Sequence, residues 1–302
     1  MTVLHRKAFL RSCLVLPAAP FCETGNKQNS LTDISNRFKI SLNAYSFNAP
    51  LSAGKTDLGQ VMDFCAANGF DAIDLTGYYF PGYPAAPPDE YIYRLKHQAH
   101  RLGLAISGTG VRNNFAVAGS TARAQETALV LRWIDVAAKL GAPVIRIFSG
   151  LMPATGQRTD TTDRIAEEIR RCVAYGQSRG VIVAVQNHND FIRTAAEAID
   201  LLKRVSSDWF GLVLDTGSFV TEEPYGEIAK AAPYAVNWQI KEKLDYNHQI
   251  QNMDLEKLFR IIRDSTYRGY LPIETLSAGD PFQTVPPFLQ QVRQAMERVM
   301  RG

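Results

Sequence analysis

Cysteine is scarce in this chain of 302 residues: Cys13, Cys22, Cys65 and Cys172, with no CxxC spacing. Cys65 and Cys172 fall inside helical patterns and read as buried thiols rather than a disulfide, so cysteine says little about compartment. Excess charge is also missing. The net charge is +3, with both signs interspersed. No basic stripe of the kind nucleic-acid binding needs is present, and no nucleic-acid partner is expected. Beyond the N-terminus no apolar run approaches the roughly 20 residues of a membrane span, so the chain does not read as transmembrane. A glycine-rich phosphate loop is absent as well: the first strand-like run leads into "NAYSFNAP", which counts against an open doubly wound sheet.

What is present begins with "HRKAFLRSCLVLPAAPFC". A basic start, a short apolar stretch and small residues near its end make the plan of an export signal over 1–24. "RKAFL" is similar to a twin-arginine signal with lysine in the second basic position, which points to a periplasmic or otherwise exported protein. The polar stretch "ETGNKQNSLTDISN" supplies a linker over 25–36, and the folded domain is expected over 37–302.

From there short apolar runs alternate with longer helical patterns. The runs are "KISLNAYSF", "DAIDLTG", "LAISGTGV", "PVIRIFSG", "VIVAVQN", "FGLVLDTG", "AVNWQIKE" and "LPIETL". Gly69, Gly103, Gly141, Gly180 and Gly269 each close a helical pattern just before a strand. Eight β/α units at 46% hydrophobic content predict a single (β/α)8 TIM barrel, an α/β fold.

In such barrels the chemistry sits where strands end and βα loops begin. Gln186, Asp215, Gln239 and Glu274 come one from each of the last four strands, so their side chains converge. Two carboxylates and two amide oxygens make an oxygen-rich set suited to Mg²⁺, Mn²⁺ or Ca²⁺. A glutamine can also simply satisfy neighbouring backbone. His188 lies two residues beyond Gln186 and points the same way if the strand continues; it is either an acid/base group or a loop residue capping the next helix. Lys241, two residues beyond Gln239, either faces a bound substrate or pairs with Glu242 at the rim. Asn43, Tyr45, Asn113 and Arg146 are candidate substrate contacts, Arg146 having a structural ion pair as its alternative. The loop with Tyr78, Tyr79, Phe80 and Tyr83 could stack on the faces of a ligand, form a lid or be an ordinary packed loop. His97 and His100 lie in a helical pattern and read as surface residues.

The segments "VAVQNHNDF", "WFGLVLDTGSF", "VNWQIKEK" and "YRGYLPIETL" resemble the xylose isomerase-like barrels of the sugar phosphate isomerase/epimerase superfamily. The resemblance runs from about residue 38 to the end. It implies a sugar isomerase or epimerase that moves a proton next to a carbonyl, usually with Mn²⁺ or Mg²⁺ held by Glu, Asp, His and Glu. Asp215 and Glu274 match that pattern. Gln186 stands where the first Glu is expected and Gln239 where the His is. The resemblance makes Asp215 the firmest metal ligand and Glu274 a ligand and base; Lys241 matches a basic residue often found there. Gln186 cannot accept a proton, so His188 is the candidate replacement acid/base. Export argues for an unphosphorylated small-molecule sugar. Three readings stay open: isomerase or epimerase, a lyase or hydratase acting on 3-keto-glycosides, and a sugar-binding protein that has lost its metal. An endonuclease IV-type site fits poorly, because five histidines placed as these are do not build a multi-metal cluster. The oligomeric state stays open.

Overall fold

Each apolar run has two faces to bury, which is what a strand inside a closed α/β barrel requires. The computed structural model describes residues 38–152, 158–188, 191–246 and 249–301. Its strands are β1 (Phe38–Asn43), β2 (Ala72–Thr76), β3 (Ala105–Gly110), β4 (Val144–Ile147), β5 (Ile182–Gln186), β6 (Phe210–Asp215), β7 (Ala235–Lys241), β8 (Lys243–Tyr246), β9 (Gln249–Asn252) and β10 (Gly269–Glu274). Eight of them close a barrel in the order β1-β10-β7-β6-β5-β4-β3-β2, and every barrel pairing is parallel. The expected TIM barrel is therefore the observed fold. The export-like segment 1–24 and the linker 25–36, with Cys13 and Cys22, lie outside the described residues.

The two faces of each strand do different work. Val183 and Val185 face outward into the main core, under the helices. Ala184, one step out of phase, joins Val144 and Val213 in a small apolar plug inside the barrel. Two residues further on, the inward positions turn polar: Arg146 above Val144, Gln186 above Ala184, Asp215 above Val213. The plug leaves hydrogen-bonding groups at the barrel's mouth.

Local sequence sets the helix ends. Asp57 with Gln60, and Thr194 with Glu197, form reciprocal capping boxes on the helices Leu58–Ala67 and Ala195–Val205. The helix Ser120–Leu140 stops at Gly141, which takes φ +80° and lets the chain turn directly into β4. Cys65 and Cys172 are free and buried, and His97 and His100 are exposed on the helix Asp89–Arg101, as expected.

Two expectations need correction. The first strand, read as 39–47, ends at Asn43. The Asn43 side chain accepts a 2.9 Å hydrogen bond from the Tyr45 amide and starts a 3-10 turn over Ala44–Phe47. The antiparallel pair β8–β9 was not anticipated between the seventh barrel strand and its helix. All four β9 residues are exposed, so no buried apolar face marked that strand in the sequence.

Gly77 opens the turn after β2. A Cβ there would lie 2.7 Å from the Gly110 carbonyl oxygen and 2.8 Å from Trp133. The contacted groups are backbone and a fully buried ring, so neither can yield cheaply. Gly77→Ala is expected to cost about 2–3 kcal/mol, the scale of overpacking. Urea denaturation checks it: a loss below about 0.5 kcal/mol would show that the contact relaxes freely.

Candidate active site

Four neighbouring strands supply the floor of the barrel mouth. Gln186 ends β5, Asp215 ends β6 and pairs in register with Gln239 on β7, and Glu274 ends β10 opposite Lys241. Asp215 and Glu274 are 0% and 2% exposed, so their charges need compensation from the protein. It is supplied at every oxygen. Gly217 N–H donates to Asp215 Oδ1 at 2.9 Å and Gln186 Nε2 donates to Oδ2 at 2.6 Å. Gln239 Nε2 donates to Glu274 Oε2, and the Lys241 ammonium contacts Glu274 Oε1 directly. The same ammonium lies 3.6 Å from Asp215 Oδ2. Asn187 braces the Asp215 backbone through two amide bonds of 2.8 and 2.9 Å.

Burial pushes the Glu274 carboxyl above its ordinary range and the Asp215 charge adds to the rise, while Lys241 pulls it back only in part. Burial works against the Lys241 charge, yet Asp215 and Glu274 outweigh it and hold the ammonium above its usual range. Lys241 is thus protonated throughout neutral pH. It turns inward to the carboxylates, not toward Glu242, whose Oε2 accepts from the Leu276 and Ser277 amides. The rim pairing of Lys241 with Glu242 is thereby corrected.

A cavity of about 350 Å³ opens above this floor. Nine of the ten residues expected at the site line it: Asn43, Tyr45, Asn113, Arg146, Gln186, His188, Gln239, Lys241 and Glu274. Asp215 lies beneath them. Strand β5 stops at Gln186, and the His188 amide bonds back to the Gln186 carbonyl at 3.0 Å; the condition of a continuing strand is not met, yet the ring still reaches the cavity, edge-on to Phe148 at 5.1 Å. Asn189 and Asp190 lie outside the described residues. Asn113 uses its amide on the Phe148 backbone, 2.8 Å at each end, so it shapes the wall. Asn43 bonds Thr76 Oγ1 at 3.2 Å and Gln239 Oε1 at 3.4 Å. Arg146 donates to the Val111 carbonyl at 2.6 Å and lies over the rings of Phe148 and Tyr78.

Sequence reasoning left several contributors out of the site, three of them charged. Arg112 and Glu126 line the cavity from loop and helix positions that no periodicity marks. Asp74, noted at the end of β2 but not given a role, is buried inside the barrel beside Gly108, whose absent side chain makes room for it. Burial lifts its pKa to about 6, against the pull of Arg146 and with a contribution from Glu274. Alternating glycines in "SGTGV" were the available signal: Gly108 accommodates Asp74 and Gly110 accommodates the Arg146 guanidinium.

The donor set does not fit the expected Mn²⁺ or Mg²⁺. Two of its four members are neutral amides that turn N–H groups toward the carboxylates, and an ammonium already touches the space between them. Among the described residues no group of three or more His, Cys, Asp or Glu could hold a metal. Hard divalent ions take several oxygen ligands with free lone pairs, carboxylates foremost.

The model of the xylose isomerase-like TIM barrel family matches residues 62–301. The chain belongs to that family. Similar solved structures include an L-ribulose 3-epimerase, at 18% identity over 87% of this chain and 96% of that one, with a TM-score of 0.71. A 3-keto-D-glucoside 4-epimerase from E. coli shares 15% identity over 85% and 99%, with a TM-score of 0.69. A xylose isomerase-like TIM barrel protein from Mycobacterium smegmatis, in complex with magnesium, shares 19% over 88% and 98%, with a TM-score of 0.64. At these identities the likeness is one of fold. No match to a curated protein sequence was found.

Proposed function

We propose that this chain binds an unphosphorylated keto sugar in the barrel mouth and moves a proton at the carbon next to the carbonyl, as an isomerase or epimerase. The observation that carries this reading is the Glu274–Lys241 pair at the floor of the cavity, with His188 on another wall. Glu274 on β10 and His188 after β5 stand three strands apart around the ring of eight, so they can address different faces of one substrate. Epimerases of L-ribulose and of a 3-keto-glucoside share this fold, which supports the class. An exported location, from the signal-like segment 1–24, belongs to the same proposal and supports a substrate without phosphate.

The step balances as follows. Glu274 takes the proton from carbon, and the C–H electron pair forms the enediolate double bond as the carbonyl oxygen becomes anionic. Lys241, with three donor hydrogens, turns one toward that oxygen. His188 returns a proton to the opposite face of the same carbon for epimerisation; for isomerisation the hydroxyl proton on that carbon first passes to the enediolate oxygen and His188 then protonates the former carbonyl carbon, and both groups reset by exchange with water. No step is routed through Mn²⁺ or Mg²⁺, because the amides and ammonium do not form a site for one.

Deuterium wash-in from D₂O into keto sugars, read by mass spectrometry, tests this reading. His188→Ala is expected to lower turnover about 100-fold, with KM changed little. Unchanged turnover would remove His188 from the proton path. A second reading rests on a second cavity of about 520 Å³, which shares Tyr45, Tyr78 and Arg112 with the first. Its room suits the second sugar of a keto-glycoside, whose glycosidic oxygen could leave from the enediolate. NMR of the products separates the two: a freed sugar means elimination, an intact epimer means proton transfer alone.

A further inference from the structure

The side chain of Lys241 is built into its place from three directions. Its backbone amide donates to Thr216 Oγ1 at 3.0 Å. Its stem crosses Gly217, where a Cβ would lie 2.8 Å from Lys241 Cγ and 3.0 Å from its Cβ. Its ammonium, on a side chain only 14% exposed, meets the two most buried carboxylates of the site. Any residue but glycine at 217 would push the stem away from that course.

The four carboxylate oxygens are then accounted for. Oδ1 of Asp215 takes the Gly217 amide, and Oδ2 takes Gln186 and faces Lys241. Oε1 of Glu274 takes Lys241, and Oε2 takes Gln239. A divalent ion would have to displace the ammonium and turn two amides around. It would find two negative charges in place of three, and an amide in place of imidazole at position 239. The substitution of glutamine for a carboxylate at 186 has a physical counterpart here. A third buried negative charge would call for a dication, whereas two can be held by one ammonium with amide donors around it.

We propose that the Lys241 ammonium is the resident cation of this site, standing where a divalent metal would otherwise sit, so that the protein does not bind Mn²⁺ or Mg²⁺ there. The role follows from charge and packing, independent of which sugar is bound. Its link to catalysis, an ammonium in place of a metal at the carbonyl oxygen, rests on the function proposed above. Lysine suits the exchange because it is a compact point charge with three donors on a flexible stem.

The test reads metal binding and melting, so its outcome does not depend on activity. Wild-type protein purified natively is expected to carry less than about 0.1 equivalent of Mn²⁺ or Mg²⁺, to leave the Mn²⁺ spin-resonance signal of free ion undiminished at about 1 mM, and to melt at the same temperature in EDTA. The double variant Gln186→Glu, Lys241→Met restores three carboxylates and removes the ammonium. Its melting temperature is expected to rise by about 4 °C or more from EDTA to about 1 mM Mn²⁺, the linkage shift of a ligand bound only by the folded state. About one equivalent of metal in the wild type, or a drop in its melting temperature in EDTA, overturns the proposal. So does a Mn²⁺ response of wild type equal to that of the double variant.

Discussion

Glu274→Gln should abolish proton exchange at the carbon next to the carbonyl, with turnover falling by about 1,000-fold or more. General base catalysis contributes about 10²–10⁴-fold, and Glu274 is the base of the proton transfer proposed above. Glutamine keeps the shape and one oxygen but cannot take a proton. It also leaves Lys241 with Asp215 alone, at 3.6 Å, so some stability is lost with the activity. The two losses separate in measurement. Wash-in of deuterium reports the chemistry, while a melt in the same buffer reports the fold. A folded Glu274→Gln protein that still exchanges within tenfold of wild type would remove Glu274 from the base position. The wild-type pH profile gives a second check. Burial and then the Asp215 charge raise the Glu274 pKa despite Lys241. A base must be ionised to act, so kcat/KM should hold at higher pH and fall as pH drops through a value above the ordinary glutamate range.

Asp74→Asn should make the protein more stable, and by an amount that depends on pH. Asp74 is 7% exposed, inside the barrel. Burial lifts its pKa from 3.8 to about 6, with Arg146 opposing and Glu274 adding. A carboxyl whose pKa rises on folding holds its proton more tightly in the folded state, so ionisation penalises the fold. The penalty is absent below pH 3.8 and complete above about pH 6. At about 1.4 kcal/mol per unit, the lift corresponds to about 3 kcal/mol at pH 8 and about 1 kcal/mol at pH 4.5. Urea titrations of both proteins at those two pH values check it. A variant no more stable than wild type at pH 8, or a gain that does not shrink in acid, would show that Arg146 compensates the charge in full.

Much of this was legible in the chain. Period-two alternation in "VIVAVQN" separates the outward valines from inward Ala184 and Gln186. The strand-end rule marked Arg146, Asp215, Gln239, Lys241 and Glu274 as residues of the barrel mouth, because in a closed barrel the ends of neighbouring strands converge. The misses share a cause. β9 has no buried face to betray it. Asp74 was visible at a strand end, but its environment depends on glycines of the next strand. The expectation of a metal came from the types of residue at four positions, and type alone does not say which atom of an amide faces a carboxylate.

The sequence by itself determined the eight units, the inward parity of each strand and the set of polar groups brought to one end. These are local properties, written in spacing and in helix stops such as Gly141. Only the tertiary structure decided how those groups are paired. The bonds Gln186–Asp215, Lys241–Glu274 and Gln239–Glu274 span 29, 33 and 35 residues, and each depends on barrel closure, on strand register and on the room left by Gly217. Alternation says which way a side chain points; what it meets there is fixed by the strand beside it. That is why Lys241 could be read as a rim residue from the sequence, while the fold makes it the cation between two buried carboxylates.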